Sequence, residues 1–155
     1  LALARLEAQG KINAVITQNI DGLHQEAGSK RVLELHGSVL RNFCQRCGEA
    51  HEMEFVRNAE GIPRCQCGAV VKPDVVLYGE SLSQQVMDEA LTELAAADTL
   101  IVGGTSLVVQ PAAGLTRAFA GEHLVLSNAS RTAMDAHAEL VIREPIGQAL
   151  GSAVL

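Results

Sequence analysis

The sequence is poor in aromatic residues and has no excess of positive charge. It contains no Trp, one Tyr and three Phe, and its 18 Asp and Glu residues outnumber 12 Lys and Arg, which gives a formal net charge of −6. An acidic chain is repelled by a phosphate backbone, and few aromatic rings are present to stack on bases. We therefore expect no nucleic-acid partner.

Long apolar runs are also absent. No uninterrupted stretch reaches the length of a membrane span, and no charged segment leads into an apolar leader. We expect no membrane partner, no secretion and a cytoplasmic location. The 155 residues, 48% of them hydrophobic, suffice for one compact domain with a small insert. The helix-forming start without an initiator Met is typical of the middle of a longer protein.

Four short apolar runs, each followed by a polar or glycine-rich turn, predict buried strands at residues 14–17, 99–102, 123–126 and 139–142. Continuous apolar runs suit parallel strands that are covered on both faces. Between them we predict a helix capped by Ser81 with Gln84 at capping-box spacing, and a second from near Pro111 to Gly121. This alternation predicts an open parallel α/β sheet that binds ligands beyond the carboxyl ends of its strands.

All four cysteines lie in a stretch without a long predicted helix. Cys44 and Cys47 are separated by two residues, and Cys65 and Cys67 by one. Four thiolates satisfy tetrahedral Zn²⁺ and leave no open position for catalysis, so we predict a structural zinc site. Two alternatives stay open: disulfides or four reduced thiols, and His51 as a substitute ligand for the shorter pair. Five Lys/Arg against four Glu in residues 41–72 form no basic stripe, which disfavours a nucleic-acid-binding zinc ribbon.

Two polar turns follow apolar segments. Gln18, Asn19 and Asp21 come after the first predicted strand, where amides and a carboxylate can hold ribose hydroxyls or a carboxamide, and Ile20 adds an apolar wall. Capping of the next helix is the alternative for Asn19 and Asp21. His36 ends a second apolar segment, where an imidazole can act as a general base or play only a structural part.

The order of these motifs closely resembles the sirtuin family. The matching segments are TQNIDGLHQEAG at 17–28, LHGS at 35–38, the two cysteine pairs, KPDVVLYGE at 72–80, GTSL at 104–107, and Asn128. They span nearly the whole chain in the family's order and spacing. The resemblance is to sirtuins of the bacterial type. It implies an α/β fold with a partial Rossmann-like parallel sheet in residues 1–40 and 81–155. An inserted zinc-ribbon module and substrate-binding strand would occupy residues 41–80.

The resemblance also implies an NAD-dependent protein-lysine deacylase. In that reaction the acyl oxygen of a modified lysine attacks the ribose carbon bearing nicotinamide, which leaves. His36 then acts as general base on a ribose hydroxyl, and water yields free lysine and O-acyl-ADP-ribose. Asn19 joins His36 as a catalytic residue.

The remaining site residues implied by the resemblance fall into three groups. NAD would be held by Gln18, Asn19, Ile20, Asp21, Gly104, Thr105, Ser106, Asn128, Ala129, Ser130 and Ile146. An acyl-lysine peptide would pair with Val75, Val76, Leu77, Tyr78, Gly79 and Glu80, which otherwise form a plain edge strand. Structural Zn²⁺ would bind Cys44, Cys47, Cys65 and Cys67.

The chain departs from the family in one respect. The glycine-rich G-A-G-x-S turn and the nearby Phe-Arg segment have no counterpart, and no G-x-G occurs. We therefore expect an incomplete cofactor site, weak NAD binding and reduced or no turnover. Two other functions stay open: a non-catalytic, zinc-stabilised module that binds a peptide or partner, and a protein mono-ADP-ribosyltransferase.

Overall fold

The computed structural model describes residues 1–110 and 112–154 and has an α/β fold. The helices are α1 Ala2–Ala8, α2 Leu23–Glu26, α3 Met53–Arg57, α4 Gln84–Ala96 and α5 Ile146–Ala153, with a 3-10 helix at Ala112–Ala118. The strands are β1 Val15–Thr17, β2 Val32–Glu34, β3 Gly37–Cys44, β4 Ala50–His51, β5 Val71–Val75, β6 Thr99–Gly103, β7 His123–Ser127 and β8 Leu140–Ile142. The four predicted apolar strands are confirmed as β1, β6, β7 and β8.

The strands form three small sheets within the described residues. Strands β1 and β2 pair in parallel, and β6, β7 and β8 form a second parallel sheet in that order. An antiparallel sheet in the order β4-β3-β5 carries the cysteine-rich segment. The parallel strands therefore divide between two sheets, whose carboxyl ends carry the polar turns.

One apolar cluster joins the two parallel sheets. Leu33 of β2 packs with Ala90 and Leu94 of α4, while Ile16 of β1 and Leu100 of β6 pack against the same cluster. Burying a leucine-sized side chain contributes about 2 kcal/mol. The helix α4 is thus the common support beneath both parallel sheets.

The start of α4 differs from the prediction. Ser83, not Ser81, is the N-cap, and its hydroxyl accepts a hydrogen bond from Val86 N at 3.5 Å. A capping box needs Glu or Gln three residues after the cap, but Gln84 is the first helical residue and Val86 takes that place. The prediction of a cap at Ser81 is therefore wrong.

The second predicted helix forms as the 3-10 helix Ala112–Ala118. Its predicted first residue, Pro111, lies outside the described residues. Gly121 lies between this helix and β7, and a Cβ placed there would lie 2.5 Å from Ala97 O. Only glycine therefore fits where the chain returns past the end of α4.

The segment after β5 is a turn rather than an edge strand. Only Val75 belongs to a strand, and Glu80 N donates to Leu77 O at 2.9 Å. The Glu80 carboxylate also accepts from Leu77 N at 2.9 Å and from Lys72 Nζ at 3.0 Å. These bonds fold residues 76–80 back on themselves, so the edge-strand interpretation is wrong for them. Within residues 1–110 and 112–154, no helix is long and apolar enough to cross a bilayer.

Candidate active site and metal centre

The parallel pairing of β1 and β2 brings two polar turns to one edge. Thr17 is in register with Glu34, so Gln18 and His36 both lie just beyond that edge. His36 Nδ1 is 3.1 Å from Gln18 O. Because a carbonyl oxygen only accepts hydrogen bonds, Nδ1 carries the ring proton and Nε2 keeps a free lone pair. The geometry thus sets the imidazole in the tautomer that a general base needs.

The backbone around His36 is fixed on both sides. Leu35 N donates to Thr17 O at 2.9 Å, and Val76 N donates to His36 O at 3.0 Å. Gly37 has φ +74°, and a Cβ at this position would overlap the Asp74 carbonyl oxygen. A close approach of this kind requires glycine. The His36 ring is therefore carried by a turn with little freedom to shift.

The residues after Gln18 have different partners. Asn19 N donates to Thr17 Oγ1 at 3.1 Å, and Asp21 Oδ1 accepts from Leu23 N, the first residue of α2, at 3.0 Å. Gly22 is the N-cap of α2, and the helix has no side-chain cap hydrogen bond among the described residues, so Asp21 lies just before the cap and holds the turn that enters the helix. The Asn19 side chain has no hydrogen-bond partner among the described residues. Its amide is free to bind a ligand.

A second set of predicted cofactor residues lies at the carboxyl edge of the β6-β7-β8 sheet. Gly104 N donates to Ser127 O at 3.1 Å, and Asn128 N donates to Ile142 O at 3.0 Å. The Ile146 side chain packs directly over Gly103, where a Cβ would collide with it. Two turns that are distant in sequence, at residues 104–106 and 128–130, and the first residue of α5, Ile146, thus gather at one sheet edge.

Gln18 connects this edge to His36. Its backbone carbonyl contacts the imidazole, while its Oε1 lies 3.5 Å from Thr105 Oγ1, at the long limit of a hydrogen bond. Thr105 Oγ1 also accepts from Leu107 N at 3.2 Å, and Leu107 has φ +55°. A non-glycine residue in this conformation costs about 1 kcal/mol and is typical of functional loops.

The predicted substrate segment lies beside His36. Val76 is tied to the His36 carbonyl, whereas Leu77 is 55% exposed and the Tyr78 side chain is fully exposed. The Leu77 N–H and the Lys72 ammonium lower the pKa of the Glu80 carboxyl and so keep it charged and bound in the turn. Residues 77 and 78 therefore present an open surface directly after the residue that bonds to the His36 carbonyl.

The four cysteines converge as the sequence predicted. All four Sγ atoms lie within 4.8 Å of one another. Two of the separations are 3.4 Å, from Cys44 to Cys67, and 3.6 Å, from Cys47 to Cys65. Sulfur atoms 2.3 Å from a tetrahedral zinc are about 3.8 Å apart, whereas a disulfide bond is about 2.05 Å long. The four thiols are free, so the disulfide alternative is wrong, and their spacing fits a Zn²⁺ ion.

The shorter cysteine pair still makes a complete turn. Gly48 N donates to Cys44 O at 3.1 Å, and Gly68 N donates to Cys65 O at 2.8 Å. The Ala69 N–H, followed by the Cys44 thiol, lowers the pKa of Cys67 to about 6. A hydrogen bond to Glu49 instead raises the pKa of the Cys65 thiol. A thiolate is the form that binds metal, so Cys67 is the member of the C-x-C pair that more readily supplies a ligand.

His51 lies beside the thiols without completing their set. Its ring stacks on Phe55 with centroids 4.3 Å apart, and its buried Nε2 has no hydrogen-bond partner in the part of the chain that the structure describes. Its ligand atom, a Glu49 carboxylate oxygen and Cys65 Sγ also lie within 4.8 Å of one another. Glu49 accepts from Cys65 Sγ at 2.9 Å, a contact that the sequence did not indicate. Four cysteines already provide a tetrahedral set, so the geometry does not require His51 as a ligand.

Comparison with known proteins gives the family. The model of the Sir2 family matches residues 1–111. The chain belongs to the Sir2 family. A protein of Cutibacterium acnes named NAD-dependent protein deacetylase is 56% identical over 151 residues, covering 97% of this chain and 62% of that protein. One of Clostridium perfringens with the same name is 54% identical over 156 residues, covering 99% and 64%. The chain thus spans less than two thirds of these relatives.

Solved Sir2 structures share the fold. One described as Sir2 with a p53 peptide and NAD⁺ has a TM-score of 0.91 at 40% identity, covering 98% of this chain and 66% of that one. Another, described as Sir2 with the inhibitor EX-527, 2'-O-acetyl-ADP-ribose and deacetylated p53 peptide, has a TM-score of 0.91 at 41% identity, covering 98% and 67%. The predicted Rossmann-like α/β fold with an inserted cysteine module is confirmed.

Sequence reasoning missed two features of this Sir2 site. The Gln18 carbonyl, which sets the His36 tautomer, is a backbone group that carries no sequence signal. Arg143 donates to the carbonyls of the turn at residues 128–130, but a single arginine after a strand forms no motif. The available clue was that Arg143 directly follows the apolar run at residues 139–142.

Proposed function

We propose that the chain carries the catalytic residues of an NAD-dependent protein-lysine deacylase, which releases nicotinamide and O-acyl-ADP-ribose. The observation that carries the proposal is the His36 imidazole, whose Nδ1 donates to Gln18 O and whose Nε2 has no hydrogen-bond partner within residues 1–110 and 112–154. The same Gln18 reaches Thr105 in the loop that follows β6. A base and a candidate cofactor edge are therefore linked through Gln18. The names of the relatives support this activity.

The residues at both sheet edges fit a dinucleotide. Gly104 has φ +64° and no atom within 4 Å of a Cβ position, so its backbone is open to a phosphate or ribose. Gln18, Ile20, Asp21 and the amide of Asn19 would hold the nicotinamide half, and residues 104–106, 128–130 and 146 the remainder. Bound NAD supplies the ADP-ribosyl group that receives the acyl group when nicotinamide leaves.

The proton chemistry falls to His36. Its Nε2 accepts the proton of a ribose hydroxyl, and the charge that forms on the ring strengthens the Nδ1–H bond to Gln18 O. General-base catalysis of this kind contributes about 10²- to 10⁴-fold. Gly37 keeps the ring in place because Asp74 O leaves no room for a side chain.

An acyl-lysine peptide is the proposed second substrate. Residues 75–80 run from β5 past His36, with Val76 anchored to the His36 carbonyl. Because Leu77 and Glu80 already bond to each other, pairing with a peptide backbone is proposed only for the groups that the turn leaves open, and such pairing gives affinity with loose demands on side chains. The exposed side chains of Leu77 and Tyr78 add contact surface on the peptide side.

Zinc is proposed to hold the module of residues 41–80 together. The four thiols would occupy every tetrahedral position, which leaves none for water and makes the ion structural. The boundary between this module and residues 1–40 stays a prediction, since β3 Gly37–Cys44 runs across it. Because zinc thiolates need reduced cysteines, we also propose a cytoplasmic location. Fractionation of the native host tests the location.

The activity is tested by nicotinamide release from NAD in the presence and absence of an acetyl-lysine peptide. Release that depends on the acetyl group supports deacylation. NAD labelled in the adenine and found attached to the protein target indicates ADP-ribosyl transfer instead. Peptide binding without any release, at saturating NAD, indicates a non-catalytic module and contradicts the proposal.

A further inference from the structure

One guanidinium holds the turn at residues 128–130. Arg143 directly follows β8, and its Nη1 donates to Asn128 O at 2.8 Å and to Ser130 O at 2.7 Å. Its Nη2 pairs with the Asp135 carboxylate. A planar guanidinium can serve both carbonyls and the carboxylate at once, because its donors form a rigid fork.

The carboxylate partner is itself fixed. Asp135 Oδ1 accepts from Thr132 N at 3.0 Å and from Thr132 Oγ1 at 2.9 Å. The side chains of Arg143 and Asp135 are 38% and 23% exposed, so water screens the pair less than it would a fully exposed one. Arg143 is therefore held from one side while it binds the turn on the other.

The bonds to Arg143 determine where the turn directs its amides. In a trans peptide the N–H points opposite to the carbonyl of the same peptide unit. With Asn128 O and Ser130 O directed at Arg143, the N–H groups of Ala129 and Arg131 point away from it. Neither N–H has a partner within the described part of the chain. These two N–H groups therefore face away from Arg143, at the sheet edge that also carries Gly104 and Ile146.

We propose that Arg143 is a positioning residue for NAD, which shapes the turn at residues 128–130 so that its free amides meet the bound nucleotide. This inference rests on the proposed function, because that function assigns the turn to the cofactor. Arg143 acts through the turn. Its loss weakens NAD binding and leaves the acyl-peptide site beside His36 unchanged.

The test compares Arg143→Met and Arg143→Lys with Arg5→Met, which removes the same charge from an exposed position in α1, away from the turn. Arg5 makes no side-chain hydrogen bond within residues 1–110 and 112–154, so it controls for the loss of one positive charge. By calorimetry, we expect Arg143→Met to weaken NAD binding at least about tenfold beyond Arg5→Met. Arg143→Lys, which keeps the charge but not the fork, is expected to recover only part of the loss. The affinity of each Arg143 variant for the acyl-lysine peptide is expected to stay within about twofold of that of the unsubstituted chain.

A second readout needs no nucleotide. In the unsubstituted chain, backbone ¹⁵N order parameters of residues 129–131 are expected near the rigid value of about 0.85, and in Arg143→Met below about 0.6. Equal NAD affinities of Arg143→Met and Arg5→Met, or unchanged order parameters, overturn the role of Arg143 and leave the proposed function intact. No NAD binding by the unsubstituted chain overturns both.

Discussion

At the scale of single residues, the proposed deacylase activity depends on the tautomer of His36. The Gln18 carbonyl can only accept, so it holds the proton on Nδ1 and leaves Nε2 as the base. We expect His36→Ala to lower deacylation at least about 100-fold while NAD affinity changes less than about threefold. Steady-state turnover and calorimetry measure the two effects. His137→Ala, at an exposed histidine, is the matched control. Equal turnover in both variants would remove the base assignment.

Gly37 offers a second residue-scale test. In Gly37→Ala, the new residue must hold a left-handed backbone and its methyl group overlaps the Asp74 carbonyl. In Gly61→Ala, at φ +84° with open space around the Cβ position, only the backbone is strained. Strain alone costs about 1–2 kcal/mol. We expect Gly37→Ala to lose at least about 2 kcal/mol more than Gly61→Ala, since overpacking adds its own cost. Urea unfolding measures this difference. Similar losses of unfolding free energy in the two variants would show that the Asp74 carbonyl moves aside.

Residue identities were more predictable than residue contacts. The sequence indicated His36 and Gln18 because both follow apolar strands and carry groups that can react or bind. It could not indicate the bond between them, because the acceptor is a backbone carbonyl. It also gave no sign that the Asp21 carboxylate, which is predicted to bind the cofactor, accepts from Leu23 N at the start of α2.

At the scale of elements, the two cysteine turns decide whether the metal centre forms. Cys67→Ser removes one of the four converging ligands, so we expect the zinc content to fall well below one equivalent after dialysis. His51→Ala is the matched control, and it keeps one equivalent if the four cysteines are the ligands. Elemental analysis measures both. Zinc loss in His51→Ala with retention in Cys67→Ser would instead restore the substitute-ligand alternative.

The α4 cap is testable in the same way. Ser83 accepts from Val86 N, so Ser83→Ala is expected to cost about 1 kcal/mol of unfolding free energy. Ser81→Ala, the position that the sequence favoured, is expected to cost less than about 0.5 kcal/mol. Chemical denaturation of both variants decides between the two serines, and a larger loss at Ser81 would contradict the observed cap.

Elements with a simple pattern were predictable, and elements set by competing bonds were not. Four continuous apolar runs became strands within one residue of their predicted bounds, because burial on both faces leaves little choice. Residues 76–80 look equally extended in sequence. The Glu80 carboxylate and the backbone bond to Leu77 fold them into a turn instead. A hydrogen bond of this kind, between a side chain and the backbone, depends on three-dimensional geometry that the spacing of apolar residues does not indicate.

At the scale of the whole molecule, two parallel sheets share the support of α4 and bring their polar edges together. Ile16 of β1 and Leu100 of β6 pack on the same cluster, so the two sheets share one apolar core. The order of motifs along the chain predicted this fold, and the Sir2 structures share it. It did not predict that the parallel strands would divide into two sheets.

The most direct test of the central claim is mass spectrometry of the products that the 155-residue chain forms from NAD and an acetyl-lysine peptide. With zinc bound and NAD saturating, we predict O-acetyl-ADP-ribose and deacetylated peptide in equal amounts from the unsubstituted chain, and neither from His36→Ala. Turnover is expected to be slow. Absence of O-acetyl-ADP-ribose from a folded, zinc-loaded chain that binds both substrates would contradict the assignment of a deacylase site around His36.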